Sequence, residues 1–276
     1  MQTLRNIAWW FIGLTTFVTF GLVVFLSNVL GNQFDQIPQS GIITVYVALA
    51  IGFLNTSRLL QLGDTLIHEI GHAQFAALTF GSVKFIRVER DASGVTYFNP
   101  PFLFRRLFSA IVSLFGPIAS LVVFVITARL IASELSAYWV IGAALFIVLI
   151  LITTVRNLWG WIVGLFILFI LYVLLEAIGY VDPQLLSASQ QDIVKTYLIN
   201  IILGITALNA GVAIRYSFLV RNRLNPRSDE FKFGTSIFLG PRIGGNLIFI
   251  IQVLLLIIGL SYLLGWSSIF EFGRLI

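Results

Sequence analysis

LWGWIVGLFILFILYVLLEAI, residues 158–178, carries one charged side chain, Glu176, close to its end. A helix crossing a bilayer core of about 30 Å needs roughly 20 mainly apolar residues. Hydrocarbon offers no partner to an open backbone, so a run of this kind must be helical if it lies in lipid. Working outward, residues 7–30, 41–54, 107–128, 137–155, 197–214 and 245–264 read the same way. The whole chain of 276 residues is 58% hydrophobic and 11% charged, where a soluble domain has about 25% charged residues. The pattern predicts an all-α polytopic membrane protein with seven or eight membrane helices. It forms a single domain over residues 1–276, with no internal repeat and no appended soluble domain.

The connectors orient these helices. Residues 84–106 contain Lys84, Arg87, Arg90, Arg105 and Arg106, and residues 215–242 contain Arg215, Arg221, Arg223, Arg227, Lys232 and Arg242, with two acids in each. The connectors at 31–40 and 179–193 hold only Asp35, Asp182 and Asp192. The positive-inside rule puts the basic segments, including a basic loop at 215–242, on the cytoplasmic side. The net charge of +5 is thereby explained by membrane orientation and not by nucleic acid. The run at 7–30 has no small-residue cleavage site close behind it and reads as a retained span. Residues 41–80 admit two readings, because Arg58 and Asp64 interrupt them. One is a span at 41–57 followed by a partly embedded helix at 58–80; the other is a single long, bent crossing. Residues 82–98 alternate apolar and polar side chains around Asp91-Ala92-Ser93-Gly94 and predict a β-hairpin at the membrane.

Chemistry enters at Leu66-Ile67-His68-Glu69-Ile70-Gly71-His72-Ala73, an H-E-x-x-H pattern. Residues four apart share one helix face, so both imidazoles can reach one ion. Glu69 is turned away by about 100° and can stand beside the ion without binding it. A zinc ion held there lowers the pKa of a bound water to about 7. Glu69 would take the water's proton and deliver it to the leaving amine. The chain has two histidines in all, and both lie in this motif. Histidine and glutamate inside a membrane segment are costly, which favours function over a hydrogen-bonded core pair.

A catalytic zinc has three protein ligands and one open position. With no third His and no Cys, the third ligand must be a carboxylate or an amide. Asp182, Asp192, Glu134 and Glu176 fall toward the outer side by the charge pattern. Asp229 lies on the cytoplasmic side, as does the hairpin after the His helix, and is the leading candidate. Glu230 and Asp64 are the alternatives.

These pieces together resemble the site-2-protease-like membrane zinc metallopeptidases, in the short bacterial branch without a PDZ domain. The resemblance rests on His68-Glu69-Ile70-Gly71-His72-Ala73, Ser93-Gly94-Val95-Thr96, Gly116-Pro117 at the opening of the next span, Arg156-Asn157-Leu158-Trp159-Gly160 and Ser228-Asp229. It implies that His68, His72 and Asp229 hold Zn2+ and that Glu69 is the catalytic base. It also implies a multi-pass protein of the bacterial inner or plasma membrane that cleaves membrane-anchored protein substrates. The L-D-G motif of better-known members is missing around Asp229.

The expected activity is peptide-bond hydrolysis near the cytoplasmic face of the bilayer, on a substrate helix that must unwind first. The edge of the hairpin at 82–98 offers a place to hold the unwound segment by strand addition. Asn157 is a candidate for substrate or zinc binding as well as for a simple helix cap, and Arg156 reads as a membrane-interface anchor. The alternative function is a non-catalytic zinc-binding membrane scaffold or chaperone, whose zinc would have four protein ligands. A transporter is less well matched, since no repeated halves with paired broken helices are present.

Overall fold

The computed structural model describes residues 39–54, 58–79, 81–99, 105–132, 136–177, 188–220, 225–226 and 228–264. The span expected at 7–30 lies outside them. The described residues form helices α1 (Gln39–Leu54) and α2 (Arg58–Leu78), then strands β1 (Ser82–Val88) and β2 (Gly94–Asn99). Helices α3 (Arg105–Ala132), α4 (Ser136–Thr153), α5 (Leu158–Ala177), α6 (Ala188–Val220), α7 (Asp229–Ser236) and α8 (Pro241–Leu263) follow.

Stretches in α3, α6 and α8 are long and apolar enough to cross a membrane, with shorter apolar helices at 40–54, 141–153 and 158–169. Large apolar side chains face outward on α4 and α5, among them Leu145, Ile152, Phe166 and Phe169, each more than 60% exposed. A soluble protein rarely leaves so much contiguous apolar surface in water. Facing lipid, these residues need no cover, and the protein is a polytopic membrane protein. The described parts of residues 41–80 lie in α1 and α2, and the point that separates the two readings, residues 55–57, lies outside the described residues. α1 packs along α6, whereas α2 packs chiefly on α3. The segment 215–242 is only partly a loop, since α6 runs on to Val220 and α7 occupies 229–236.

The Gly116-Pro117 pair does not open a span. Pro117 lies inside α3, where it withholds the N–H that Ser113 would otherwise receive. The buried Gln252 of α8 donates from Nε2 to the Pro117 carbonyl at 2.7 Å and ties α8 to α3 there.

The hairpin is antiparallel, with Ile86 opposite Thr96 and Val88 opposite Gly94. Its turn is closed by Asp91, whose Oδ1 accepts from the Ser93 N–H at 3.0 Å, and Ala92 takes a positive φ of 63°. The outer edge of β1 is already occupied. Ile86 N–H donates to Thr154 O at 3.0 Å, and Arg156 N–H donates to Ile86 O at 3.3 Å, forming a short parallel pairing. Asn157 extends it, its side-chain Oδ1 accepting from Val88 N–H at 3.2 Å while its Nδ2 donates to Val88 O. Asn157 thus acts as one more peptide unit on the β1 edge. The Arg156 guanidinium turns back to cap α4, donating to Thr153 O at 2.9 Å.

This pairing settles the direction of the opposite edge. Ile86 directs its backbone groups away from β2, so Ile86 and Thr96 form a non-hydrogen-bonded pair. Thr96 therefore points its own N–H and C=O away from β1, on the far side of β2.

Candidate metal centre

Helix α2 carries His68 and His72 one turn apart on a buried face, as their spacing requires. Between them Gly71 allows a close crossing with α3, since a Cβ there would lie 2.6 Å from Phe115 O and 2.8 Å from the Ala119 Cβ. His72 packs against Gly116, where an added Cβ would fall 2.2 Å from its Cε1 and Nε2. The glycine is thus the space the imidazole occupies. The Nδ1–H of His72 donates to the Val112 carbonyl at 2.7 Å, which leaves the Nε2 lone pair free to bind a metal.

Asp229 reaches these rings from the far end of the sequence. Ser228 caps α7, its side chain accepting from Phe231 N–H at 3.2 Å, which makes Asp229 the first helical residue. Its charge sits favourably at the helix N-terminus. Phe233 fixes α7 by packing with Ala110 of α3 and Ile248 of α8. Asp229 Oδ2 lies 2.9 Å from His68 Nε2 and 3.0 Å from His72 Nε2, and the two nitrogens are 3.1 Å apart. Its other oxygen, Oδ1, is 3.8 Å from Lys232 Nζ. Burial alone would raise the Asp229 carboxyl, but when the His72 and His68 rings carry a second proton their charge and hydrogen bonds outweigh it. They hold the group well below the usual carboxylate range.

A divalent cation suits this donor set. With the His72 proton committed to Val112, the Nε2 of His72 and the Oδ2 of Asp229 face each other as two acceptors. A proton on His68 Nε2 could satisfy one side of the triangle, whereas a cation at its centre satisfies all three. Tetrahedral ligands at the zinc distance of about 2.0–2.1 Å stand roughly 3.3–3.4 Å apart, so each edge need open by only a few tenths of an ångström. His68, His72 and Asp229 are the one such group among the described residues.

Glu69 is 5% exposed and lies under the hairpin. The Thr96 hydroxyl of β2 is 2.7 Å from Glu69 Oε2 and 2.8 Å from the Glu69 backbone O. Thr65 Oγ1, one turn earlier on α2, donates to Ala92 O at 2.9 Å and fastens the turn to the same helix. Gly94 presses on Glu69 so closely that a Cβ would meet its Oε1 at 2.7 Å.

The alternative third ligands stand apart. Asp64 Oδ1 accepts from Ser120 Oγ at 2.5 Å. Glu230 is 1% exposed, and among the described residues neither of its carboxyl oxygens has a hydrogen-bond partner. Burial pushes the Glu230 carboxyl above its ordinary range. Sequence reasoning assigned no role to Thr96, Gly116 or the Val112 carbonyl. The first two were visible only as family pattern, and a backbone acceptor leaves no mark on the sequence.

Residues 39–259 match the family model described as Peptidase M50B-like. The chain belongs to that family, within the site-2-protease group. It is therefore a membrane metallopeptidase by descent, in a family whose members are typically zinc-dependent. Neither a curated protein nor a solved structure matches the chain.

Proposed function

We propose that this protein is a zinc endopeptidase that hydrolyses peptide bonds of membrane-anchored proteins near the cytoplasmic face of a bacterial inner membrane. The observation that carries the reading is the convergence of His68 Nε2, His72 Nε2 and Asp229 Oδ2 within 3.1 Å beside the buried Glu69. His68, His72 and Asp229 hold the metal, and Glu69 is the general base. When bound, zinc supplies a Lewis acid that polarises the scissile carbonyl and acidifies water. Glu69 accepts the proton of the attacking water and passes it to the leaving amine. Thr96 holds the carboxylate in place by its hydrogen bond to Oε2. Three ligands with one position left over favour an enzyme over a scaffold, whose structural zinc would be saturated.

Asp229→Asn tests the ligand set. Losing even an outer-sphere partner costs 10–100-fold in metal affinity, so zinc affinity should fall by at least about tenfold, with cleavage falling in step. Metal analysis of purified protein and cleavage of a model membrane substrate measure both. Wild-type zinc content with full cleavage in this variant would move the third ligand elsewhere.

The substrate needs an extended segment, and among the described residues β2 is the hairpin edge left to receive one. Thr96 directs its backbone outward on that edge and its hydroxyl onto Glu69, so a strand added there runs beside the base. Pro at Ile86 or Val95 is a poor test, because Ile86 already pairs with Thr154 and Arg156 and Val95 bonds toward β1. A peptide covering a cleavage site, compared with its alternately backbone N-methylated form, is a better one. The unmodified peptide should compete with substrate and the methylated one should lose most of that effect. Equal competition by both would exclude strand addition.

A further inference from the structure

An open cleft of about 530 Å³ lies between the start of α3 and the end of α7, lined by Arg105, Arg106, Leu107, Ser236, Ile237 and Phe238. We propose that it binds an anionic phospholipid, with the headgroup phosphate between Arg105 and Arg106 and an acyl chain along Leu107 and Phe238. The site is independent of the metal centre and of the activity assigned to it.

Depth, charge and shape point to this occupant. Two candidate spans, Arg105–Arg129 and Pro241–Leu263, begin beside the cleft. It therefore sits where helices leave the hydrocarbon and headgroups begin. Arg105 and Arg106 are both exposed, and neither has a carboxylate partner among the described residues. They also occupy the first turn of α3, which contains no acidic residue. Cations at that end of a helix are repelled by its dipole. Membrane orientation accounts for the side of the bilayer on which they lie; their place together on the wall of the cleft lets them meet one anion there, and arginine forks match phosphate in two-point geometry.

The apolar wall is equally specific. Phe238 is 77% exposed and Leu107 53% exposed. Phe238 holds a left-handed backbone with φ of 63°, a conformation that bulky residues rarely adopt. The Arg106 guanidinium lies 5.0 Å from the centre of its ring. A strained, outward-facing phenylalanine beside two guanidiniums that have no carboxylate partner among the described residues makes an amphiphilic cleft, suited to a molecule with an anionic head and an apolar tail. General attraction of basic loops to a charged membrane surface would need only the charges, not the cleft.

The test uses the full chain in a neutral detergent, with phosphatidylglycerol, phosphatidylcholine or inorganic phosphate added. Thermal midpoint and lipid retention in native mass spectrometry are the readouts. Phosphatidylglycerol should raise the midpoint by several degrees and remain bound, while phosphatidylcholine and phosphate should do neither. The double variant R105Q/R106Q should lose most of the shift. Lys84→Gln, which removes an exposed cation outside the cleft, should keep it. Phe238→Gly removes the ring and relieves the left-handed strain, so it folds; its midpoint without lipid should rise while the lipid shift shrinks. An equal shift with phosphatidylcholine, or an undiminished shift in R105Q/R106Q or Phe238→Gly, would overturn the proposal. A shift reproduced by inorganic phosphate would replace the lipid with a soluble anion.

Discussion

Glu69→Gln should retain wild-type zinc and lose cleavage of a model membrane substrate by a factor of about 10²–10⁴, the usual contribution of a general base. The substitution keeps the size of the side chain, which matters because Gly94 leaves no slack against Glu69. The Thr96 hydroxyl can donate to the amide oxygen as it does to the carboxylate. The fold and the three ligands are untouched, so only proton transfer is removed. Metal analysis and a cleavage assay on the two proteins side by side give the answer. Zinc retained with no cleavage by either protein would raise the scaffold reading. Undiminished cleavage by the variant would sink the mechanism.

Gly116→Ala should empty the metal centre without touching a ligand. Its Cβ would lie 2.2 Å from two atoms of the His72 ring and 2.7 Å from a third. The ring cannot swing aside freely, because its Nδ1–H is held by the Val112 carbonyl. Either His72 leaves the ligand triangle or α2 moves off α3. Overpacking of this kind costs about 1–3 kcal/mol of stability, and displacement of a ligand costs at least the 10–100-fold in metal affinity seen for its supporting shell. Gly142→Ala is the matched control, since nothing lies within 4 Å of a Cβ there. It should bind zinc normally. Equal zinc content in the two variants would show that the glycine is not what shapes the pocket.

Much of this protein is visible in local pattern. The apolar runs located α3, α4, α5 and α8 to within a few residues, because crossing lipid demands length and apolarity that no neighbour can replace. The hairpin followed from alternation and from turn residues that bond to themselves, as Asp91 does to Ser93. The His68–Glu69–His72 spacing needed nothing beyond the pitch of one helix. The Gly116-Pro117 pair was misplaced because proline is at home in a first helical turn, yet is tolerated inside a membrane helix when a neighbour supplies compensating bonds. Gln252, far along the chain, ties α8 to the Pro117 carbonyl at that point, a contact no local pattern announces.

What the sequence determined by itself was the membrane class, the place of several of the apolar helices and the motif that can bind a metal. All of these depend on side chains within one or two helical turns of each other. Charge topology and the family resemblance put Asp229 ahead of Glu230 and Asp64 as the third ligand; the tertiary structure brings its Oδ2 against both imidazoles. It also decided that Gly116 is the floor beneath His72 and that Thr96 grips Glu69. Among the described residues, it leaves β2 a free edge while Thr154, Arg156 and Asn157 occupy the edge of β1. These pairings join residues up to 161 positions apart. Their geometry is set by how α3, α7 and the hairpin pack around α2, and no periodicity along the chain encodes that packing.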